Sequence, residues 1–109
     1  MSEWIDVCPE ADLVAGTGVC ALVGSEQVAV FKTRKDQEIY AIGNYDPIGK
    51  ANVLSRGILG SIGEALVVAS PLYKQHFNLA TGQCLEDEAV SVKSYPARVE
   101  GGTIQVQSV

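Results

Sequence analysis

Histidine is almost absent from this 109-residue chain: His76 stands alone. One imidazole cannot build a multi-histidine metal site, and no Ser-His-Asp, Cys-His or paired-carboxylate arrangement assembles at a usable spacing. Cysteine is sparse as well. Cys8, Cys20 and Cys84 lie far apart with no C-x-x-C pair. An odd count in a small chain of cytosolic aspect favours reduced thiols that act as small buried apolar groups, with a disulfide or a catalytic thiol as the alternative. Long apolar runs are missing: stretches such as Ala65–Ala69 fall far short of the roughly 20 residues that span a bilayer. Acids in the opening Met-Ser-Glu-Trp-Ile-Asp replace the basic and apolar regions of a signal peptide, so the expected address is the cytoplasm. Basic charge is scarce too, with a net charge of −5 and Lys32, Arg34 and Lys35 as the densest basic cluster, at a turn. That balance disfavours nucleic acid as a partner.

What is present points to a β domain. Hydrophobic residues make up 47% and charged residues 19% of the chain, a globular balance rather than a disordered one. Period-2 alternation dominates, and no segment keeps a helical apolar period over ten or more positions. Trp4–Val7 reads as a strand, and residues 9–13 read as a single helical turn with Pro9 leading. Residues 19–23 and 27–33 form a hairpin across Gly24-Ser25, then 34–37 turn into a strand at 38–42. Near the end, Gly101-Gly102 sets Val99 opposite Ile104 and Ala97 opposite Val106, which places four apolar side chains on one face. Pro96 lacks a ladder donor and marks an edge or an interruption. Residues 43–64, rich in Gly, Asn, Ser and Asp, read as irregular, and 65–69 as a short buried strand. Gly57, Gly60 and Gly63 lack the Gly-Lys-Ser/Thr ending of a phosphate loop and read as turns and bulges. No internal repeat is evident. The sum is a small antiparallel sandwich or barrel.

One segment carries more. Ser70-Pro71-Leu72-Tyr73-Lys74-Gln75-His76-Phe77-Asn78, with Thr81-Gly82 beyond it, resembles the second cluster-binding box of Rieske ferredoxins, in which Cys-Pro-x-His precedes Phe-Asp and a Gly turn. Upstream, Tyr40-Ala41-Ile42-Gly43-Asn44-Tyr45-Asp46-Pro47-Ile48-Gly49 resembles the strand and first box, Cys-Pro-His. Asp46 and Ser70 stand where the cysteines belong, Ile48 and Tyr73 where the histidines belong. A Rieske centre needs two thiolates and two imidazoles. Serine does not ionise near neutrality, isoleucine has no lone pair, and tyrosine titrates near ~10. The resemblance therefore implies a Rieske-like domain over 1–109, with a vestigial cluster-binding subdomain at about 44–83, and no metal or cofactor of its own.

Trp4-x-x-Val7-Cys8, Asn44-Tyr45-Asp46-Pro47, residues 51–57 and Tyr95-Pro96-Ala97-Arg98-Val99 with the following Gly-Gly-Thr-Ile narrow the likeness. They resemble the small-subunit family of assimilatory NAD(P)H nitrite reductases. The resemblance implies a non-catalytic role beside a large subunit that carries FAD, a 4Fe-4S centre and sirohaem and reduces nitrite to ammonia. A stand-alone interaction or small-ligand module on the same fold is the alternative. Ile48, Leu72, Tyr73 and Lys74 would sit at the tip and form the candidate partner interface, unless Ile48 and Tyr73 fill the volume a cluster would occupy. Asp46 either pairs with Tyr73 across the loops or serves as an Asp-Pro turn residue. His76 reads as a structural or surface residue, and residues 86–88 as a solvated loop or a rim contact.

Overall fold

The computed structural model describes residues 3–72 and 74–108. Its strands are β1 (Trp4–Pro9), β2 (Gly18–Val23), β3 (Glu26–Lys32), β4 (Ile39–Gly43), β5 (Tyr45–Asp46) and β6 (Ala51–Asn52), followed by β7 (Ile58–Ile62), β8 (Ala65–Ala69), β9 (His76–Asn78), β10 (Ser94–Tyr95), β11 (Ala97–Glu100) and β12 (Thr103–Gln107). Two short 3-10 turns, Glu10–Asp12 and Leu54–Arg56, are the only helical pieces among the described residues. The turn after Pro9 matches the sequence expectation. Glycine makes the tight hairpins possible: Gly24, Gly63, Gly101 and Gly102 all have positive φ, at the two-residue turns β2–β3, β7–β8 and β11–β12.

The strands form a three-stranded sheet β1-β12-β11, a four-stranded sheet β10-β4-β3-β2, a β5-β6 pair and a three-stranded sheet β7-β8-β9. β3 is the spine. Its Val28 and Val30 enter one core with Leu13, Ala41, Tyr95, Ile104 and Val106. Its Ala29 and Phe31 point the opposite way, into a second core with Ile42, Leu54, Val68, Phe77, Leu79 and Cys84. Burial on both faces explains why this strand reads as a continuous apolar run rather than an alternation. The second core fastens the β7-β8-β9 sheet onto the back of β3 and β4, and so fixes the two loops described below.

Pro96 falls between β10, which pairs with β4, and β11, which pairs with β12. The missing N–H thus sits at the corner where the chain changes sheets. The expected C-terminal pairs Val99–Ile104 and Ala97–Val106 are present. However, only Ile104 and Val106 are fully buried; Val99 stays 43% exposed, because β11 is the outer strand of its sheet. Three other expectations change. Residues 43–64 are more ordered than their composition suggests, and β7 escaped notice because four of its five residues face solvent. Of the thiols, Cys84 is buried and Cys8 half-buried, whereas Cys20 is exposed on the edge strand β2. All are free. The basic cluster also divides: Lys32 is buried in β3 and bonded to Glu10 at 2.7 Å, while Arg34 and Lys35 remain exposed.

Candidate functional site

Two loops meet at one end of the second core, and each begins with a buried oxygen-bearing side chain followed by proline. Asp46 lies in β5 and is fully buried; Ser70 follows β8 and is buried too. The Ser70 hydroxyl donates to Asp46 Oδ2 at 2.5 Å. Asp46 Oδ1 accepts the backbone N–H groups of Ile48 at 2.9 Å and Gly49 at 3.0 Å. Ser70 Oγ in turn accepts the Leu72 N–H at 3.3 Å. A carboxylate taken out of water needs such donors, and here three of them replace its hydration. The carboxylate and the hydroxyl lock the two loops together.

The loops share one design. Lys50 N–H closes onto the Asp46 carbonyl at 2.7 Å, and Lys74 N–H onto the Ser70 carbonyl at 3.0 Å. Both lysines have positive φ, 59° and 63°. Asp46-Pro47-Ile48-Gly49-Lys50 and Ser70-Pro71-Leu72-Tyr73-Lys74 therefore form a five-residue repeat that sequence inspection passed over. Its signal is a polar residue, proline, an aliphatic and a lysine at matching positions. The polar side chain accepts the N–H two residues on and shapes each turn. Asn78 continues the theme after β9, accepting from Ala80 at 2.8 Å and Thr81 at 3.1 Å.

The predicted tip residues are placed as follows. Ile48 is half-buried and packs against the second core, so its side chain fills interior volume. Leu72 is 45% exposed and lies over Gly49, where an added methyl would strike Leu72 and crowd the Asp46 carboxylate. Lys74 is exposed beside it. Tyr73 lies outside the described residues, and with it the pairing to Asp46 considered from sequence. Asp46 is both the turn residue and the cross-loop bridge, and its partner in that bridge is Ser70.

Two features were not visible in the sequence. Asn44, buried just ahead of β5, donates to Gln27 Oε1 at 3.2 Å and accepts the Ser55 N–H at 2.7 Å, tying the 53–57 segment to the base of the site. Glu86, expected on a solvated loop, grips His76 twice: it accepts the backbone N–H at 2.8 Å and contacts Nδ1 at 2.6 Å. The His76 N–H and then its ring hold the Glu86 carboxyl below its ordinary value. The single histidine is thus a structural clamp on β9. Among the described residues no group of three or more His, Cys, Asp and Glu side chains could hold a metal ion.

Comparison with known proteins places this geometry. A family model described as a Rieske-like 2Fe-2S domain matches residues 3–107. The NADH nitrite reductase small subunit of Salmonella typhimurium is 50% identical over 107 residues, which is 98% of this chain and 99% of the relative. A nitrite reductase NAD(P)H large subunit from Klebsiella oxytoca is 37% identical over 103 residues, covering 94% of this chain and 11% of that longer protein. The solution structure of a nitrite reductase NAD(P)H small subunit from Erwinia carotovora superposes with a TM-score of 0.83 at 51% identity, covering 100% of this chain and 84% of that one. The ferredoxin of carbazole 1,9a-dioxygenase from Nocardioides aromaticivorans superposes with a TM-score of 0.80 at 26% identity, covering 94% and 95%.

A Rieske-like fold raises the question of an iron–sulfur cluster between the two loops. The residues present do not fit one. Thiolate and imidazole are the ligands such a centre uses, and the four positions that the sequence resemblance aligns with them hold Asp46, Ile48, Ser70 and Tyr73. Moreover, Asp46 and Ser70, at the two thiolate positions, are in direct hydrogen-bond contact, which leaves no gap between them for the one iron that two thiolates would share.

Proposed function

The chain belongs to the Rieske-like domain family, among the small subunits of NADH nitrite reductase, and on that premise we propose that it is a cluster-free, non-catalytic subunit that docks onto the large subunit. The observation that carries this reading is the buried Asp46–Ser70 bond: a proton shared by two oxygens joins the loops that a cluster would otherwise join. Residues 44–83 are then the vestige of a cluster-binding subdomain, retained for its shape. Hydride transfer and the reduction of nitrite to ammonia belong to the partner, with its FAD, 4Fe-4S centre and sirohaem. The complex works in the cytoplasm, in nitrate assimilation. No helix among the described residues is long and apolar enough to cross a membrane.

Docking uses the tip. Leu72 presents an apolar side chain beside the exposed Lys74, and Ile48 supports the loop from inside. Tyr73, next to Leu72 in the sequence, is the remaining candidate for this interface. That a Klebsiella large subunit carries a homologous stretch within its own chain supports close association of the two parts. Purified large subunit is assayed for NADH-dependent nitrite reduction with and without this chain, and the chain is assayed alone. The expected result is no turnover by the chain alone and enhanced turnover by the pair. Nitrite reduction by the isolated chain, or indifference of the large subunit to its presence, rejects the proposal.

A further inference from the structure

Away from the tip, a groove of about 750 Å3 runs between residues 16–18, the 33–36 turn and β7. Its apolar lining includes Ile58, Leu59 and Leu66, and it also brings together Arg34, Lys35 and Arg56 with the single carboxylate of Asp36. In a chain with net charge −5 this is a local reversal of sign. Among the described residues no ion pair engages the three cations. Arg34 is laid across Gly16, where an added methyl would displace it, so its guanidinium is held near the groove.

One wall of the groove is an open sheet edge. β7 is the outer strand of β7-β8-β9 and pairs with β8 alone. Ile62 and Ala65 flank the two-residue turn, so Ile62, Gly60 and Ile58 exchange hydrogen bonds with β8. By antiparallel alternation the N–H and C=O groups of Leu59 and Ser61 point outward, away from β8. Soluble proteins guard such edges with lysine, proline or a covering element. β7, Ile-Leu-Gly-Ser-Ile, has neither lysine nor proline, and Ile58 is 77% and Ile62 45% exposed. A methyl at Gly60 would meet nothing, so the face of β7 that carries Gly60 is open.

We propose that the free edge of β7 is a strand-addition site for an extended segment of the large subunit that bears acidic and aliphatic side chains; this rests on the small-subunit reading above. Main-chain bonds to Leu59 and Ser61 supply affinity, aliphatic side chains cover Ile58 and Ile62, and carboxylates meet Arg34, Lys35 and Arg56. A second copy of this chain is a poorer occupant, since two bodies of charge −5 repel and would set like cations face to face.

The test is amide hydrogen exchange on this chain, free and mixed with purified large subunit, together with the affinity of variants. Leu59 and Ser61 amides exchange rapidly in the free chain and slow at least about tenfold in the complex. Ser61→Pro, which removes an outward donor and no bond to β8, weakens binding by at least about tenfold while circular dichroism reports an intact fold. Should Ser61→Pro fail to fold, the Arg34→Glu/Arg56→Glu double variant serves instead: it weakens binding by a similar factor and flattens its salt dependence. Unchanged exchange at Leu59 and Ser61 in a complex that still forms overturns the edge proposal and leaves the small-subunit reading intact, as does loss of binding in Leu72→Asp alone. Protection of the two amides that depends on the concentration of this chain alone assigns the edge to self-association and overturns it as well. If no complex forms, both readings fall together.

Discussion

Asp46 and Ser70, which the sequence resemblance aligns with thiolate ligands, are both engaged in hydrogen bonds. A buried carboxylate without donors is costly, and the serine hydroxyl is one of the three donors to Asp46 among the described residues. Ser70→Ala leaves that carboxylate short of a partner and lowers stability by about 1–3 kcal/mol in urea titration. Because the two side chains act as a unit, the Asp46→Ala/Ser70→Ala cycle is non-additive, with a coupling of about 0.5–3 kcal/mol; additive losses contradict a shared bond. Glu86 offers a pH-dependent counterpart. Its folded-state value is lowered, so the unfolded chain takes up the proton first as pH falls. The clamp on His76 thus contributes fully above the ordinary carboxylate range and is lost as pH drops through the folded value. Glu86→Gln melts earlier than the parent near neutrality, and the gap closes as the pH falls through and below the ordinary carboxylate range. A gap constant over that range rules out the clamp.

Among the elements, what could be read from sequence was what a local rule dictates. The β2–β3 and β11–β12 hairpins carry glycine where the turn demands positive φ, and their registers follow from it. Pro96 could be read as a break because proline cannot donate, although only the three-dimensional structure reveals a change of sheet there. β7 was illegible for a physical reason: its edge position leaves it little burial, so no apolar pattern marks it. Asn44, Glu86 and the Asp46–Ser70 bond were hidden because each depends on a partner far away in sequence. The paired five-residue loops could have been found, since proline, aliphatic and lysine recur at equal spacing, but a ligand motif drew attention to the missing sulfur instead. Gly82 tests the turn after β9. It has φ +80°, and an added methyl would run into the Val92 carbonyl. Gly82→Ala combines left-handed strain with a backbone clash and costs about 1–3 kcal/mol or more by thermal melting.

On the scale of the whole molecule, β3 joins two cores, and the second one holds the loops. Phe77, fully buried there, lies in β9 and pairs with Val68 of β8. Phe77→Ala costs about 3–5 kcal/mol, a large share of a total near 5–15 kcal/mol, and it loosens the tip as well as the core. Urea unfolding gives the loss, and binding to the large subunit falls with it. In this Rieske-like frame the two facing loops are joined by the Asp46–Ser70 hydrogen bond, and the proposal is that this bond stands in place of a cluster. The most direct test is iron and acid-labile sulfide analysis of the isolated chain after anaerobic reconstitution with iron and sulfide, read beside its visible spectrum. A colourless protein without stoichiometric iron or sulfide is the predicted result. A red-brown chain with two irons and two sulfides bound would contradict the account.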